Sequence, residues 1–217
     1  MSKISFQSCH LYVIVDRAAL AGRDPVAVAE GAICGGADAI QWRDKKASDR
    51  EFLEAAKQLR VLTRRLKAIF VVNDRVAVAL LVGADGVHLG HEDLPVRETR
   101  LLVGEGMLIG RSTHSLAEVK EAEAAGADYI GVGPIFSTPT KPDYPVVGLD
   151  LVREVVRTIR IPWVAIGGID LQTLPLVLSA GATRVAVVRA VAGASDPESA
   201  ARALKQRISA GEREQIA

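Results

Sequence analysis

Gly83-Ala84-Asp85-Gly86-Val87-His88-Leu89-Gly90 joins a glycine that can end a helix to an apolar run of strand length. Its first three residues recur. Gly-Ala-Asp, or nearly so, stands at Gly36-Ala37-Asp38, Gly126-Ala127-Asp128 and, with threonine third, Gly181-Ala182-Thr183. Four such junctions mark a repeating helix-to-strand unit. Strands are expected at His10–Val15, Ala39–Trp42, Ile69–Val72, Gly86–Leu89, Leu108–Gly110, Tyr129–Val132, Trp163–Ile166 and Arg184–Val187. Most are continuous apolar runs, as strands buried on both faces of a parallel sheet require. Between them lie segments of helical period. Two open with a capping-box pattern, Ser48-Asp49-Arg50-Glu51 and Ser115-Leu116-Ala117-Glu118, and the first continues through Leu53, Ala56, Leu59 and Leu62.

Eight strands in 217 residues leave about 27 residues per unit, a compact value for a (β/α)8 barrel. A doubly wound open sheet competes, but eight evenly spaced units favour closure. No linker-like stretch interrupts the series. The expectation is one α/β domain over residues 1–217, a single (β/α)8 TIM barrel, with 1–9 and 211–217 as terminal extensions.

The totals narrow the function. Lys and Arg number 27 against 26 Asp and Glu, so there is no basic field to attract nucleic acid or a membrane surface. Aromatic residues make up 4% and offer few platforms for stacking bases. Cys9 and Cys34 form neither a disulfide framework nor a zinc pattern. No apolar run has signal-peptide or membrane-spanning character, so a cytoplasmic location is expected. A homo-oligomer is compatible with the sequence.

In such a barrel the ligand site gathers where strands end. After strand two, Gln41, Arg43 and Lys45 alternate and can share one side; a forked and a point cation suit a diphosphate. After strands three and four, Asn73-Asp74-Arg75 and Gly90-His91-Glu92-Asp93 bring two carboxylates to the same rim, where they could hold one hard cation. Each segment also offers a helix cap: Asn73 or Asp74 before Val76, Asp93 before Leu94-Pro95. His88, inside strand four, reads as a packed barrel residue. After strand five, Ser112 and Thr113 offer hydroxyls, Ser115 a cap, and His114 a structural hydrogen bond ahead of proton transfer. The longest irregular stretch, Gly133 to Pro145, has the length of an active-site loop; Thr138, Thr140 and Lys141 suit phosphate oxygens. Gly167-Gly168 after strand seven and Val188-Arg189 after strand eight fall where barrels commonly bind phosphate.

Six segments in order carry a resemblance: Gln41–Lys45, Val72–Arg75, Ala84–Asp93, Ile109–His114, Gly133–Lys141 and Ala165–Ile169. From Tyr12 to about Ala190 the chain closely resembles the thiamine phosphate synthase (thiamine phosphate pyrophosphorylase) family. The resemblance implies a Mg²⁺-dependent alkyl transfer between two small molecules, hydroxymethylpyrimidine diphosphate and hydroxyethylthiazole phosphate. By the same resemblance, Arg43, Lys45, Asn73, Asp74, Asp93 and Lys141 hold the metal–diphosphate, with Asp74 and Asp93 on the metal. Ser112 lies beside the pyrimidine and diphosphate. Thr138, Thr140, Gly168, Val188 and Arg189 serve the thiazole phosphate. Arg43, Lys45, Ser112 and Lys141 are the expected catalytic set, and Gln41 joins the substrate contacts. Two departures are His91, where glutamine is frequent in the family, and Arg189, where serine is expected. A thiazole tautomerase-like barrel, or a non-catalytic barrel binding thiamine precursors, is the alternative; the combination of Asn73-Asp74, Asp93 and Thr138-x-Thr140-Lys141 argues against the first, and the intact cationic and acidic set against the second.

Overall fold

The computed structural model describes residues 5–139 and 145–216, with side chains as far as residue 211. Among them eight parallel strands close into a barrel in sequence order. They are β1 (Leu11–Asp16), β2 (Ala39–Arg43), β3 (Ile69–Asn73), β4 (Gly86–Leu89), β5 (Leu108–Thr113), β6 (Tyr129–Val132), β7 (Trp163–Ile166) and β8 (Val185–Val187). Around them run α1 (Pro25–Cys34), α2 (Asp49–Leu66), α3 (Val76–Val82), α4 (Val96–Val103), α5 (Leu116–Ala124), α6 (Gly148–Thr158), α7 (Leu174–Ser179), the short α8 (Arg189–Ala192) and α9 (Pro197–Ile216). Closure comes from β1 pairing with β8, Leu11 opposite Val185. No described helix is long and apolar enough to cross a membrane.

Alternation along each strand builds two cores. Leu11, Val13 and Val15 point outward into a sleeve beneath the helices, with Trp42, Phe70, Val87 and Ile109. Tyr12, Ala39, Val71, Tyr129 and Ala186 point into the barrel. Phe6 and Cys9, in the stretch read from sequence as an extension, belong to this inner core. The Phe6 ring stacks on Tyr129 at 4.0 Å and 7°. On α2 the buried stripe is Phe52, Ala56, Leu59 and Leu62, so Phe52 occupies the place expected for Leu53. The Ser48–Glu51 capping box forms as expected. At α5 only half of it forms: Ser115 Oγ accepts from Glu118 N–H, while Glu118 accepts from His114 N–H instead.

The Gly-Ala-Asp repeat has a structural purpose in its aspartates. Asp85 accepts from Phe70 N–H at 2.8 Å and receives both guanidinium arms of Arg60 at 2.7 and 2.8 Å. Asp128 accepts from Ile109 N–H and Arg100, and Asp38 from His10 and Leu11 N–H and Lys205. Each carboxylate thus ties its own strand to the preceding one and to a helix. Asp85→Ala leaves the Arg60 guanidinium largely buried without its anion, so it should cost about 3–5 kcal/mol in urea unfolding. Ligand affinity should hold in the folded fraction, since Asp85 lies at the far end of β4 from the rim.

Candidate active site

The carboxyl ends of the strands surround one cavity of about 790 Å³. Its acidic side is built by unusual backbone. Asp74 takes the left-handed conformation, φ +61°, which aspartate tolerates better than most residues because its short polar side chain bonds locally. The chain therefore turns before α3 starts, and the cap position falls to Arg75, with no side-chain cap bond. The cap readings of Asn73 and Asp74 do not hold, nor does that of Asp93: α4 is capped at Pro95 without a side-chain bond. Asp93 instead accepts from Gly90 N–H at 2.6 Å. Arg111 braces this loop by donating to the Gly90 carbonyl at 2.5 Å.

Freed from capping, the two carboxylates meet. Asp74 hydrogen-bonds Asp93 and is ion-paired with Lys45. Burial, followed by the Asp93 contact, pushes the Asp74 carboxyl above the usual range. Asp93 is held below it despite burial, by Asp74, the Gly90 N–H, Lys45 and Arg111. The pair therefore retains a proton to higher pH than two independent aspartates would.

Arg43 is ion-paired with Asp16, a buried residue at the end of β1 that also caps the following turn through Ala18 N–H. Asp16 is not among the expected site residues, although it is a polar residue directly after the run expected as strand one, the same position that marks the site residues of the other strands. Gln41, Arg43, Lys45, Asn73, Asp74 and Asp93 all line the cavity, so the alternation expected after strand two is realised. The intervening residues turn away. Asp44 accepts from Lys46 and Ala47 N–H and pairs with Arg17 at 3.2 Å. Arg75 leaves the rim, bonding Asp49 and the Ala47 carbonyl and lying 4.4 Å over the Phe52 ring.

Strand five runs to Thr113 rather than stopping at Gly110, because Gly110–Thr113 pair along β6. Ser112 is thereby an inward strand residue on the cavity wall. Its Oγ lies 3.0 Å from His88 Nε2. His88 is packed in the barrel as expected, yet it also reaches the cavity floor. His114 bonds the Gly133 carbonyl.

Opposite the acids, the β6 and β7 loops run together. Ile135 N–H donates to the Ile166 carbonyl at 2.9 Å and Phe136 N–H to the Gly167 carbonyl at 3.0 Å. Gly167 and Gly168 have φ of +103° and +64°, conformations suited to glycine. Thr138, Gly168, Val188 and Arg189 line this side, and Arg189 is solvent-exposed with no carboxylate partner among the described residues. Thr140 and Lys141 lie outside the described residues.

A closed barrel whose cations, paired carboxylates and left-handed glycines all gather at the carboxyl ends of its strands defines a class: a (β/α)8 barrel with an anion-facing cavity at that rim. The chain belongs to the thiamine monophosphate synthase family, whose sequence model matches residues 11–191. It is 51% identical over 179 residues to the thiamine-phosphate synthase of Synechococcus sp. (strain CC9311), covering 82% of this chain and 51% of that protein. To the thiamine-phosphate synthase of Chloroflexus aurantiacus it is 50% identical over 200 residues, 92% of each chain. A solved thiamine phosphate pyrophosphorylase from Pyrococcus furiosus superposes with a TM-score of 0.86 at 43% identity, covering 94% of this chain and 96% of that one. The chain spans about half the length of the Synechococcus relatives.

Proposed function

We propose that this chain joins hydroxymethylpyrimidine diphosphate to hydroxyethylthiazole phosphate, giving thiamine phosphate and pyrophosphate with Mg²⁺ as cofactor. The observation that carries the reading is the meeting of Asp74 and Asp93 beside Lys45 and Arg43. The names of similar proteins point to thiamine phosphate as product, and the substrate pair is the one that the family resemblance implies.

The donor set fits Mg²⁺. Two hard carboxylate oxygens face each other, and among the described residues no group of three His, Cys, Asp or Glu competes to enclose a metal. Magnesium is typically held by one or two carboxylates, its other positions going to water and substrate phosphate. Asp74 and Asp93 would hold it. When bound, Mg²⁺ neutralises diphosphate charge and makes pyrophosphate a better leaving group.

The chain's own residues do the rest. Arg43 and Lys45, kept oriented by Asp16 and Asp74 when no ligand is bound, exchange those partners for diphosphate oxygens. Their charge then opposes the negative charge that grows on the leaving oxygen. The methylene C–O bond breaks, and its electron pair departs with pyrophosphate. The amino-substituted pyrimidine supports the cation left behind. The thiazole nitrogen, positioned by its phosphate at the Gly167-Gly168 side, supplies the pair for the new C–N bond. No general base is required, in keeping with a rim of cations and carboxylates.

Incubation with both substrates should release pyrophosphate and thiamine phosphate in step, only with Mg²⁺ present. Absence of both products at saturating Mg²⁺ overturns the reading. The raised Asp74 carboxyl adds a pH signature. Protons compete with the metal, so Mg²⁺ affinity should weaken as pH falls through the range where the pair takes up its proton. Isothermal titration at several pH values checks this, and affinity should reach its plateau above that range.

A further inference from the structure

The outer face of α3 and α4 departs from the usual pattern of a surface helix, which turns its apolar side chains to the core and its charges to solvent. Helix α3, Val76-Ala77-Val78-Ala79-Leu80-Leu81-Val82, has no charged residue at all, and its Leu80 and Leu81 are exposed. Helix α4 buries Val96 and Thr99 and presents both of its leucines, Leu101 and Leu102, outward. The most exposed are Leu101 at 86% and Leu81 at 73%. These side chains surround a depression. Leu53 of α2, Leu80 and Leu81, Leu94 just before α4, and Leu102 line one groove of about 710 Å³. Half of the exposed large apolar side chains among the described residues lie on this face. Scattered singly, such residues are ordinary; gathered and rimmed by polar groups, they mark an interaction site.

The face itself indicates its occupant. The charged residues lining the groove are Asp49, Arg50, Asp74 and Arg75, two of each sign. Helix α4 adds an exposed Arg97 and an exposed Glu98, again one of each. A nucleic acid or an anionic membrane would call for an excess of basic groups, and a strongly charged protein for an excess of the opposite sign. A face that meets its own copy needs both signs in balance, because each charge must find its opposite across the axis. The whole chain carries a formal charge of only +1, so two copies approach without mutual repulsion. The shape agrees with the charge. Projecting leucines stand next to a groove lined by leucines, so one copy can offer Leu81 and Leu101 to the depression of the other and receive the same in return.

We propose that the α3–α4 face is the docking surface for a second copy of this chain, joined by a two-fold axis that sets the leucines of each copy into the groove of the other. Burial of these leucines removes apolar surface from water on both sides at once. The groove ends at Asp74 and Arg75, so the docked copy lies against the turn that directs Asp74 toward Asp93. The dimer is independent of the reaction proposed above: its leucines lie outside the strand-end cavity, and its formation requires neither substrate nor metal.

Sedimentation equilibrium of the full chain, without ligand, gives its mass in solution and tests the proposal without reference to turnover. At micromolar concentration the expected mass is twice the 23.1 kDa of one chain. Leu81→Glu and Leu101→Glu alter side chains that already stand largely in water, so the fold should hold in both. Across a two-fold axis each substitution enters the interface twice and brings like charges together. The dimer dissociation constant should therefore rise at least about 100-fold in each. Either variant suffices should the other fail to fold. Val156→Glu, on the exposed side of α6, is the control and should leave the wild-type mass unchanged. A single-chain mass for the wild type at every concentration into the millimolar range overturns the proposal and leaves the face to a partner of another kind. A dimer that survives both leucine substitutions overturns it too, because its interface then lies elsewhere.

Discussion

Asp74→Asn should lower Mg²⁺-dependent formation of thiamine phosphate by about 100- to 1,000-fold, the range seen when one preorganised electrostatic group is removed. Asparagine is the informative replacement. It keeps the size of the side chain, and it accepts the left-handed conformation that residue 74 adopts at φ +61°, where alanine adds strain. What is lost is one negative charge beside Asp93 and Lys45. The same charge disfavours the folded state, because burial and Asp93 push the Asp74 carboxyl up. An acid whose folded pKa is raised destabilises the fold at pH above that value, where it is ionised, and not below the unfolded value. At neutral pH the neutral amide should therefore leave thermal stability unchanged or raise it. Asp93→Asn should give a similar loss of activity, and the double variant little more than either alone, since the two act as one unit. Full activity in both single variants, measured across Mg²⁺ concentration, sinks the metal assignment.

The separation of fold and site in this chain explains what its sequence disclosed. The starts of β2, β4 and β6 are announced locally, by a glycine, an alanine and an aspartate, and that of β8 nearly so; all eight strands fall within a few residues of their expected places. Strand ends are set by pairing partners. Ser112 therefore joined β5 only once β6 lay beside it, and Asp16 closed β1 opposite Arg43. Cap assignments failed for a related reason. A carboxylate before a helix usually caps it, but the left-handed turn at Asp74 releases the side chain toward Asp93, and no residue type in the segment announces that turn. Least legible of all is the buried run of hydrogen bonds from Gln41 through Tyr12, Tyr129 and His88 to Ser112. Its links join residues 29, 117, 41 and 24 positions apart, and each member read alone looks like ordinary strand filling. Phe6 shows the same effect, since only a closed barrel provides the floor on which it stacks.

Gly167→Ala should cost about 3–5 kcal/mol of stability, from a backbone conformation that suits glycine and from overpacking. It should also raise the KM for the thiazole phosphate more than that for the pyrimidine diphosphate. At φ +103° a Cβ on residue 167 would lie 2.5 Å from both Pro134 Cα and Cβ. One of those contacts is to main chain, so no side chain can swing clear. The β6 and β7 loops must separate, which strains the bonds from Ile135 N–H to the Ile166 carbonyl and from Phe136 N–H to the Gly167 carbonyl. Those bonds hold Ser137 and Thr138 against the Gly168 wall of the cavity, so separation disturbs the side assigned to the second substrate. The acidic rim, carried by β3 and β4, is untouched. Gly126→Ala is the control for backbone strain alone: its φ is +88°, yet a Cβ there meets nothing within 4 Å. The difference between the two variants in urea unfolding isolates the contact with Pro134. If Gly167→Ala costs no more than Gly126→Ala and leaves both KM values unchanged, the close approach of the two loops does not shape the phosphate side. The expected result is a further loss of about 1–3 kcal/mol beyond the control, with the kinetic defect confined to the thiazole phosphate.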